Sequence, residues 1–277
     1  MNSMLNMKND VPLQVVNDAY LNEIHFIYQP IFNVAIHKPF GYEALLRSSM
    51  FTPEEFFLRM KSNREREMHW SFTLLQVMKK LVESKSGAKL SVNCEQQDVM
   101  EPWFVSSVLD AIEFTGVNPR QIVIELTEHN GIYDHITSGR NLKVLSSKGI
   151  TIALDDFGIK HANLDALCFL PIGEIKLDSK FVWNIDNPRC AKSIEAMMHL
   201  ASSMNIDVVV EGVETRHQVR QLSSLGIKLM QGFYFSPGEK EINGKELITK
   251  IYGENISSSR KNNAALTDAA SEKRNVQ

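Results

Sequence analysis

Thr151-Ile152-Ala153-Leu154-Asp155-Asp156-Phe157-Gly158 is the stretch on which the fold turns. A short, mostly apolar run of strand character stops at two adjacent carboxylates. Buried strands of parallel sheets read as such runs. The pattern recurs along the chain. Leu90-Ser91-Val92 ends at Asn93, Ile122-Val123-Ile124 at Glu125, Ile175 at Lys176, Val208-Val209-Val210 at Glu211, and residues 227–230 at Gln231. Core packing gives no reason for a polar group at six separate strand ends. A TIM-like (β/α)8 barrel does, because every strand then delivers its last residue to one face, where the site is built.

Working outward, strand and helix patterns alternate at roughly 20 to 35 residues per unit, the βαβ rhythm of a parallel barrel. A first strand is expected over Ile24–Tyr28 and a second over Phe40–Leu46. Thr52-Pro53-Glu54-Glu55 opens a helix, with Thr52 as N-cap and proline at the first helical position. Further helices are expected over Trp70–Val82 and over Asp98–Phe114, the latter closed by Gly116. Residues 1–20 read as a lead-in, 21–252 as one α/β barrel domain, and 253–277 as a disordered tail poor in large apolar side chains.

The bulk numbers exclude several classes. The chain has 277 residues, 43% of them hydrophobic, and a net charge of −3. That suits one large α/β domain or two small ones. It lacks the basic excess of a nucleic-acid-coating or membrane-surface protein, so direct nucleic-acid binding is not expected. No apolar run is long enough to span a bilayer, and residues 1–17 lack a signal-peptide core, which places the chain in the cytoplasm. Cys94, Cys168 and Cys190 show neither CxxC spacing nor an even count, as expected for reduced thiols. Trp70, Trp103 and Trp183 are expected to be packing residues.

Glu43, Asn93, Glu125, Asp155 and Asp156 all offer oxygen ligands, which suits Mg²⁺ or Mn²⁺ rather than zinc. Carboxylates gathered this closely repel one another unless cations offset them. Two divalent ions a few ångströms apart are a recurring device for phosphodiester hydrolysis. Lys176 adds a positive group, and Glu211 a further carboxylate able to serve as base or ligand.

The chain resembles the EAL-type cyclic di-GMP phosphodiesterases from about Phe26 to Pro237. The matching text is Tyr28-Gln29-Pro30-Ile31, Glu43-Ala44-Leu45-Leu46-Arg47, Val92-Asn93, Glu125-Leu126-Thr127-Glu128, Asp155-Asp156-Phe157-Gly158, Lys176-Leu177-Asp178, Glu211-Gly212-Val213-Glu214-Thr215 and Gln231-Gly232, in the family's order. The resemblance implies a barrel with one antiparallel strand and hydrolysis of cyclic di-GMP to linear pGpG. It implies a two-metal site using Mg²⁺ or Mn²⁺. Glu43, Asn93, Glu125 and Asp155 resemble the ligands of one ion, and Asp155 with Asp156 those of the second. Lys176 resembles the lysine that positions the attacking water, Glu211 a general base or ligand, and Gln231 a further site amide. Gln29, Leu46 and Arg47 resemble substrate contacts, with Arg47 on a phosphate. Glu128 and Glu214 resemble residues that hold the site's loops. The resemblance also admits a homodimer and a regulatory protein partner.

Two departures stand out. The family follows Asp-Asp-Phe-Gly with a second glycine, where this chain has Ile159-Lys160-His161-Ala162-Asn163. Lys160 replaces a residue that commonly permits an otherwise closed backbone turn. The link from Arg47 to Thr52 is also shorter than is usual in the family. These departures leave two alternatives to the active hydrolase: a non-catalytic cyclic di-GMP receptor and a protein-interaction module.

Overall fold

The computed structural model describes residues 24–244, apart from 54, 56–57, 59, 61, 128–134 and 160–163. Glu128, the Lys160 loop and both termini therefore lie outside the described residues. Eight strands close into a barrel in sequence order. They are β1 (Ile24–Asn33), β2 (Lys38–Ser48), β3 (Lys89–Glu95), β4 (Ile122–Thr127), β5 (Thr151–Phe157), β6 (Glu174–Leu177), β7 (Asp207–Val210) and β8 (Leu229–Gln231). β1 runs antiparallel to both β2 and β8, and every other neighbouring pair is parallel. The odd strand follows from its connection. Asn33 Oδ1 accepts the Ala35 and Ile36 amides, and His37 sits at φ 56°, so the chain reverses in a tight hairpin. Only a longer crossover could have returned β2 parallel.

The first strand runs five residues beyond the expected Tyr28, through Pro30, whose missing donor a strand at this point tolerates. The helices are α1 (Asn63–Ser84), α2 (Gln96–Val99), α3 (Phe104–Thr115), α4 (His135–Ser147), α5 (Leu164–Phe169), α6 (Ser179–Trp183), α7 (Pro188–Ser203) and α8 (Arg216–Ser224). α1 starts seven residues before the expected Trp70, because Ser62 and Glu65 form a reciprocal capping box. The single helix expected over Asp98–Phe114 is two helices, parted around Pro102. Its end is as expected, with Gly116 left-handed at φ 69°. Thr52 and Glu55 likewise exchange capping hydrogen bonds of 3.0 and 3.2 Å, the start expected there.

α1 lays Leu74, Val77, Met78 and Leu81 inward, each at most 1% exposed, and its Trp70 stacks on Phe104 of α3 with ring centroids 5.6 Å apart. Trp183 departs from expectation: it is 59% exposed at the end of the short α6 and packs into no core. Inside the barrel, Ile31, Val209 and Leu229 form an apolar plug against Phe40. The interior is thus a packed core that supports one polar end rather than a pore. Among the described residues no helix is long and apolar enough to cross a membrane.

Candidate active site

Side chains on one face of a strand recur every second residue. Asn93 therefore stands above Ser91, Glu125 above Val123, Lys176 above Glu174, and Gln231 above Leu229 on the inner wall. One polar residue from each strand, or from just beyond it, meets its neighbours in a connected layer. Gln231 Nε2 donates to Gln29 Oε1 at 3.0 Å and to Glu43 Oε2 at 2.6 Å, while Asn93 Nδ2 donates to Glu43 Oε1 at 2.8 Å. Lys176 Nζ lies 2.9 Å from Glu43, 2.9 Å from Glu125, 2.6 Å from Glu211 and 3.9 Å from Asp155. Gln29 is itself held by the Ser236 carbonyl at 3.2 Å.

Asp155 and Asp156 are consecutive, so an unbroken strand would turn them to opposite faces. The β5–β6 register shifts between Leu154 and Phe157, and Asp156 takes φ 51°. A bulge of this kind re-aims side chains, and left-handed backbone at a non-glycine residue is strain concentrated at functional positions. As a result Asp155, Asp156 and Glu211 each present an oxygen within 4.8 Å of the other two.

Gly232 carries Gln231 into this layer. A Cβ at Gly232 would lie 2.2 Å from the Val213 carbonyl oxygen, and the Val213 amide hydrogen-bonds Gln231 O at 3.0 Å. Gly232→Ala is therefore expected to force β8 away from the following loop and to destabilise the fold by on the order of 3 kcal/mol. Urea unfolding checks this, and an unchanged midpoint would contradict it.

The electrostatics follow from burial. Lys176 and Glu125 are 0% exposed. Burial works against the ammonium, but Glu125, Glu211, Glu43 and Asp155 together hold its pKa well above the ordinary lysine value. Burial also pushes at Glu43, yet the charge of Lys176 and hydrogen bonds from Asn93, Lys176 and Gln231 keep it below the usual carboxylate range. The remaining acids lose that contest. Burial raises Glu125 well above its ordinary value despite Lys176, with help from Glu43 and Asp155. Asp155 and Glu211 rise for the same first reason, also against the pull of Lys176. One ammonium cannot balance four carboxylates in a dry layer.

The donor set fits divalent cations. The groups are hard oxygens, the three-acid cluster has ligand-like spacing, and the charge is in excess. Glu125 Oε1 and Gln231 Oε1 are also buried with no hydrogen-bond partner among the described residues. Orphaned acceptors at this depth call for a cation or water.

Beside the layer, a cleft of about 520 Å³ runs between β2, β3 and α1, lined by Leu46, Arg47, Asn93, Trp70 and His69. Arg47 Nη1 donates to the Leu46 carbonyl at 2.8 Å, which lays the guanidinium along this wall. The structure thus brings Gln29, Glu43, Asn93, Glu125, Asp155, Asp156, Lys176, Glu211 and Gln231 to one mouth, with Leu46 and Arg47 on its rim. Glu214 stands apart: it is exposed, and its backbone amide donates to Gln218 Oε1 at 2.8 Å. Residue-by-residue reading missed Glu174, buried within β6 below Lys176; its only sequence signal was the inward alternation with that lysine.

The fold is a barrel with one reversed strand, and its acid-lined mouth offers oxygen ligands of the kind divalent cations take. The chain belongs to the EAL domain family, whose model matches residues 14–238. It is 29% identical over 240 residues to a probable cyclic di-GMP phosphodiesterase, PdeG, of Escherichia coli K12, covering 82% of this chain and 47% of that protein. It is 28% identical over 225 residues to the oxygen sensor protein DosP of the same organism, covering 78% of this chain and 28% of that one. The chain thus spans less than half the length of these relatives. Among solved structures, the calcium and cyclic di-GMP complex of Klebsiella pneumoniae BlrP1 superposes with a TM-score of 0.73 at 27% identity, covering 81% of this chain and 58% of that chain. The cyclic di-GMP complex of PaMucR phosphodiesterase gives 0.72 at 27% identity, covering 78% of this chain and 97% of that chain.

Proposed function

We propose that this chain hydrolyses one phosphodiester bond of cyclic di-GMP to give linear pGpG, using Mg²⁺ or Mn²⁺. The observation that carries the reading is the complete polar layer, in which four acids crowd one ammonium and three of them are raised above the ordinary carboxylate range by burial and by repulsion from their acidic neighbours. A scaffold or plain binding module has no physical need to hold such repulsion. Similarity to solved complexes with cyclic di-GMP supports the choice of substrate, and a manganese complex of BlrP1, at a TM-score of 0.69, supports the choice of metal.

In this reading Glu43, Asn93, Glu125 and Asp155 hold one ion, and Asp155 with Asp156 the second. Ions held there would polarise a phosphate and make a water more acidic. Lys176, anchored on four sides, orients that water. Glu211 sits 2.6 Å from Lys176 Nζ and accepts the water's proton, a role that its raised proton affinity suits. Gln231 fixes the Glu43 carboxylate, and Gln29 fixes Gln231. Arg47, always charged and planar, meets a phosphate from the cleft, with Leu46 beside it. Glu128 and Glu214 keep the proposed part of loop supports. The same reading places the chain in the cytoplasm and leaves room for a homodimer and a regulatory partner.

The test is single-turnover conversion of cyclic di-GMP with excess protein and Mg²⁺ or Mn²⁺, beside Glu43→Ala. Conversion to pGpG that disappears in Glu43→Ala is expected. Intact dinucleotide after prolonged incubation would overturn the reading, and its retention on the protein would then mark a receptor.

A further inference from the structure

Glu174 is the second inward residue of the same short strand that carries Lys176, and it is 0% exposed. Neither of its carboxylate oxygens has a hydrogen-bond partner among the described residues. An ionised carboxylate buried without a partner is not tenable, so in this state Glu174 carries a proton. Its surroundings can be named strand by strand. β7 contributes Asp207 as its direct neighbour, and β5 the neutral Ala153. The charges of Lys89 on β3, of Lys176 on its own strand and of Glu43 on β2 also act on it. Ser91 and Val123 stand at the same level on β3 and β4, and Ile31, Val209 and Leu229 form an apolar part of the wall. Lys89 is already engaged below, 3.4 Å from Thr151 Oγ1 and 3.9 Å from Asp207.

The arrangement changes when cations enter the mouth. The carboxylates that now surround Lys176 turn their charge to the cations, and the ammonium is left beside like charges. Two consequences follow from Coulomb's law: Lys176 is driven toward losing its proton and away from its position, and the potential at Glu174 becomes positive. A carboxyl directly beneath is the group able to answer both.

We propose that Glu174 is a positioning residue for Lys176, a reserve counter-charge that holds a proton while the mouth is free of metal and releases it to solvent when cations take the carboxylates above. This inference rests on the metal-dependent reading of the site. The O–H bond of Glu174 breaks, the proton leaves with those displaced from the ligands, and the new carboxylate keeps the lysine charged and seated. Burial places the Glu174 pKa at about 7, so its proton is one that a change of potential near neutral pH removes.

The experiment uses the full chain and Glu174→Gln, whose amide copies the protonated carboxyl in shape. Calorimetry of Mn²⁺ binding at pH 6.5, in two buffers of different ionisation enthalpy, counts the protons released. The wild type is expected to release more protons than Glu174→Gln, by roughly half a proton or more per chain. The infrared band of a buried protonated carboxyl is expected in the metal-free wild type, absent from Glu174→Gln and lost on saturation with Mn²⁺. In turnover, Glu174→Gln is expected to lose kcat with little change in KM, and its alkaline limb to move to lower pH as Lys176 deprotonates sooner. Glu174→Met, similar in volume and likewise unable to release a proton, repeats the count should the amide fold poorly. Equal proton release by the wild type and Glu174→Gln, or a carboxyl band that survives Mn²⁺, overturns the proposal. A wild type that takes up no Mn²⁺ overturns the metal-dependent reading itself, and this inference with it, so the two failures are told apart by the wild type alone.

Discussion

Lys176→Met is expected to slow conversion of cyclic di-GMP by roughly a thousandfold, the range in which a lost proton-handling group falls. The side chain approximates the size and apolar stem of lysine and removes the ammonium, with both its charge and its N–H donors. That charge is what Glu43, Glu125, Asp155 and Glu211 converge upon, at 2.9, 2.9, 3.9 and 2.6 Å. The substitution is also expected to lower stability without metal by about 3–5 kcal/mol, because removing one partner of a buried ion pair leaves the others uncompensated. Added Mn²⁺ should recover much of that stability without recovering the rate. Lys176→Arg should behave no better, since a planar fork cannot occupy the centre of four acids in place of a compact ammonium. Single-turnover rates and urea unfolding, each with and without Mn²⁺, measure both effects. A rate within tenfold of wild type would remove Lys176 from the chemistry.

The second large effect is in the pH dependence of metal stabilisation. Glu125, Asp155 and Glu211 hold protons above the ordinary carboxylate range, each because burial outweighs the pull of Lys176. Between that range and the raised values, the folded chain binds protons that the unfolded chain has released. Metal-free stability must therefore fall as pH rises through this window. Glu43 works the other way: its lowered value contributes stability above the ordinary carboxylate range that is lost only on strong acidification. Divalent cations compete with the retained protons, so their benefit grows as the protons become easier to displace. The gain in Tm from saturating Mn²⁺ is expected to be larger at pH 8.5 than at pH 6 by roughly 5 °C. Thermal unfolding across that range decides it, and a gain independent of pH would show that Glu125 and Asp155 are not the ligands.

Much of this site is legible in the sequence because the barrel aligns strand ends. A polar residue at the end of an apolar run carries its address with it, so Asn93, Glu125, Asp155, Glu211 and Gln231 could be placed together from the chain alone. Glu43 joins them as an oxygen ligand although it lies in the middle of β2 rather than near its end. Gln29 was legible only through resemblance, since nothing in a Tyr-Gln-Pro run says that its strand is reversed. The bulge at Asp155-Asp156 left no mark that pattern reading could use, because alternation alone assigns the two carboxylates to opposite faces. The polar turn Arg64-Glu65-Arg66-Glu67 hid the start of α1. Its Arg66 Nε is 2.7 Å from Asp98 on α2, a contact no local pattern reports. Glu174 was missed for a related reason: a glutamate at a strand start reads as a solvated end, and only the closed wall makes it interior.

The reversed first strand also sets the order in which the molecule can be assembled. β1 and β2 form a hairpin whose partners are near in sequence, so it is open to early formation. The other edge of β1 waits for β8: Ile31 pairs with Gln231 across some two hundred residues, and Tyr28 with Glu239 beyond it. Contacts of such separation are slow to form and come late. Gln29 and Gln231 meet only at that closure, and Gln231 is what fixes Glu43. A chain still emerging from the ribosome, or one truncated before β8, therefore holds several acids but no finished centre, and the capacity for chemistry arrives with the last strand rather than growing strand by strand.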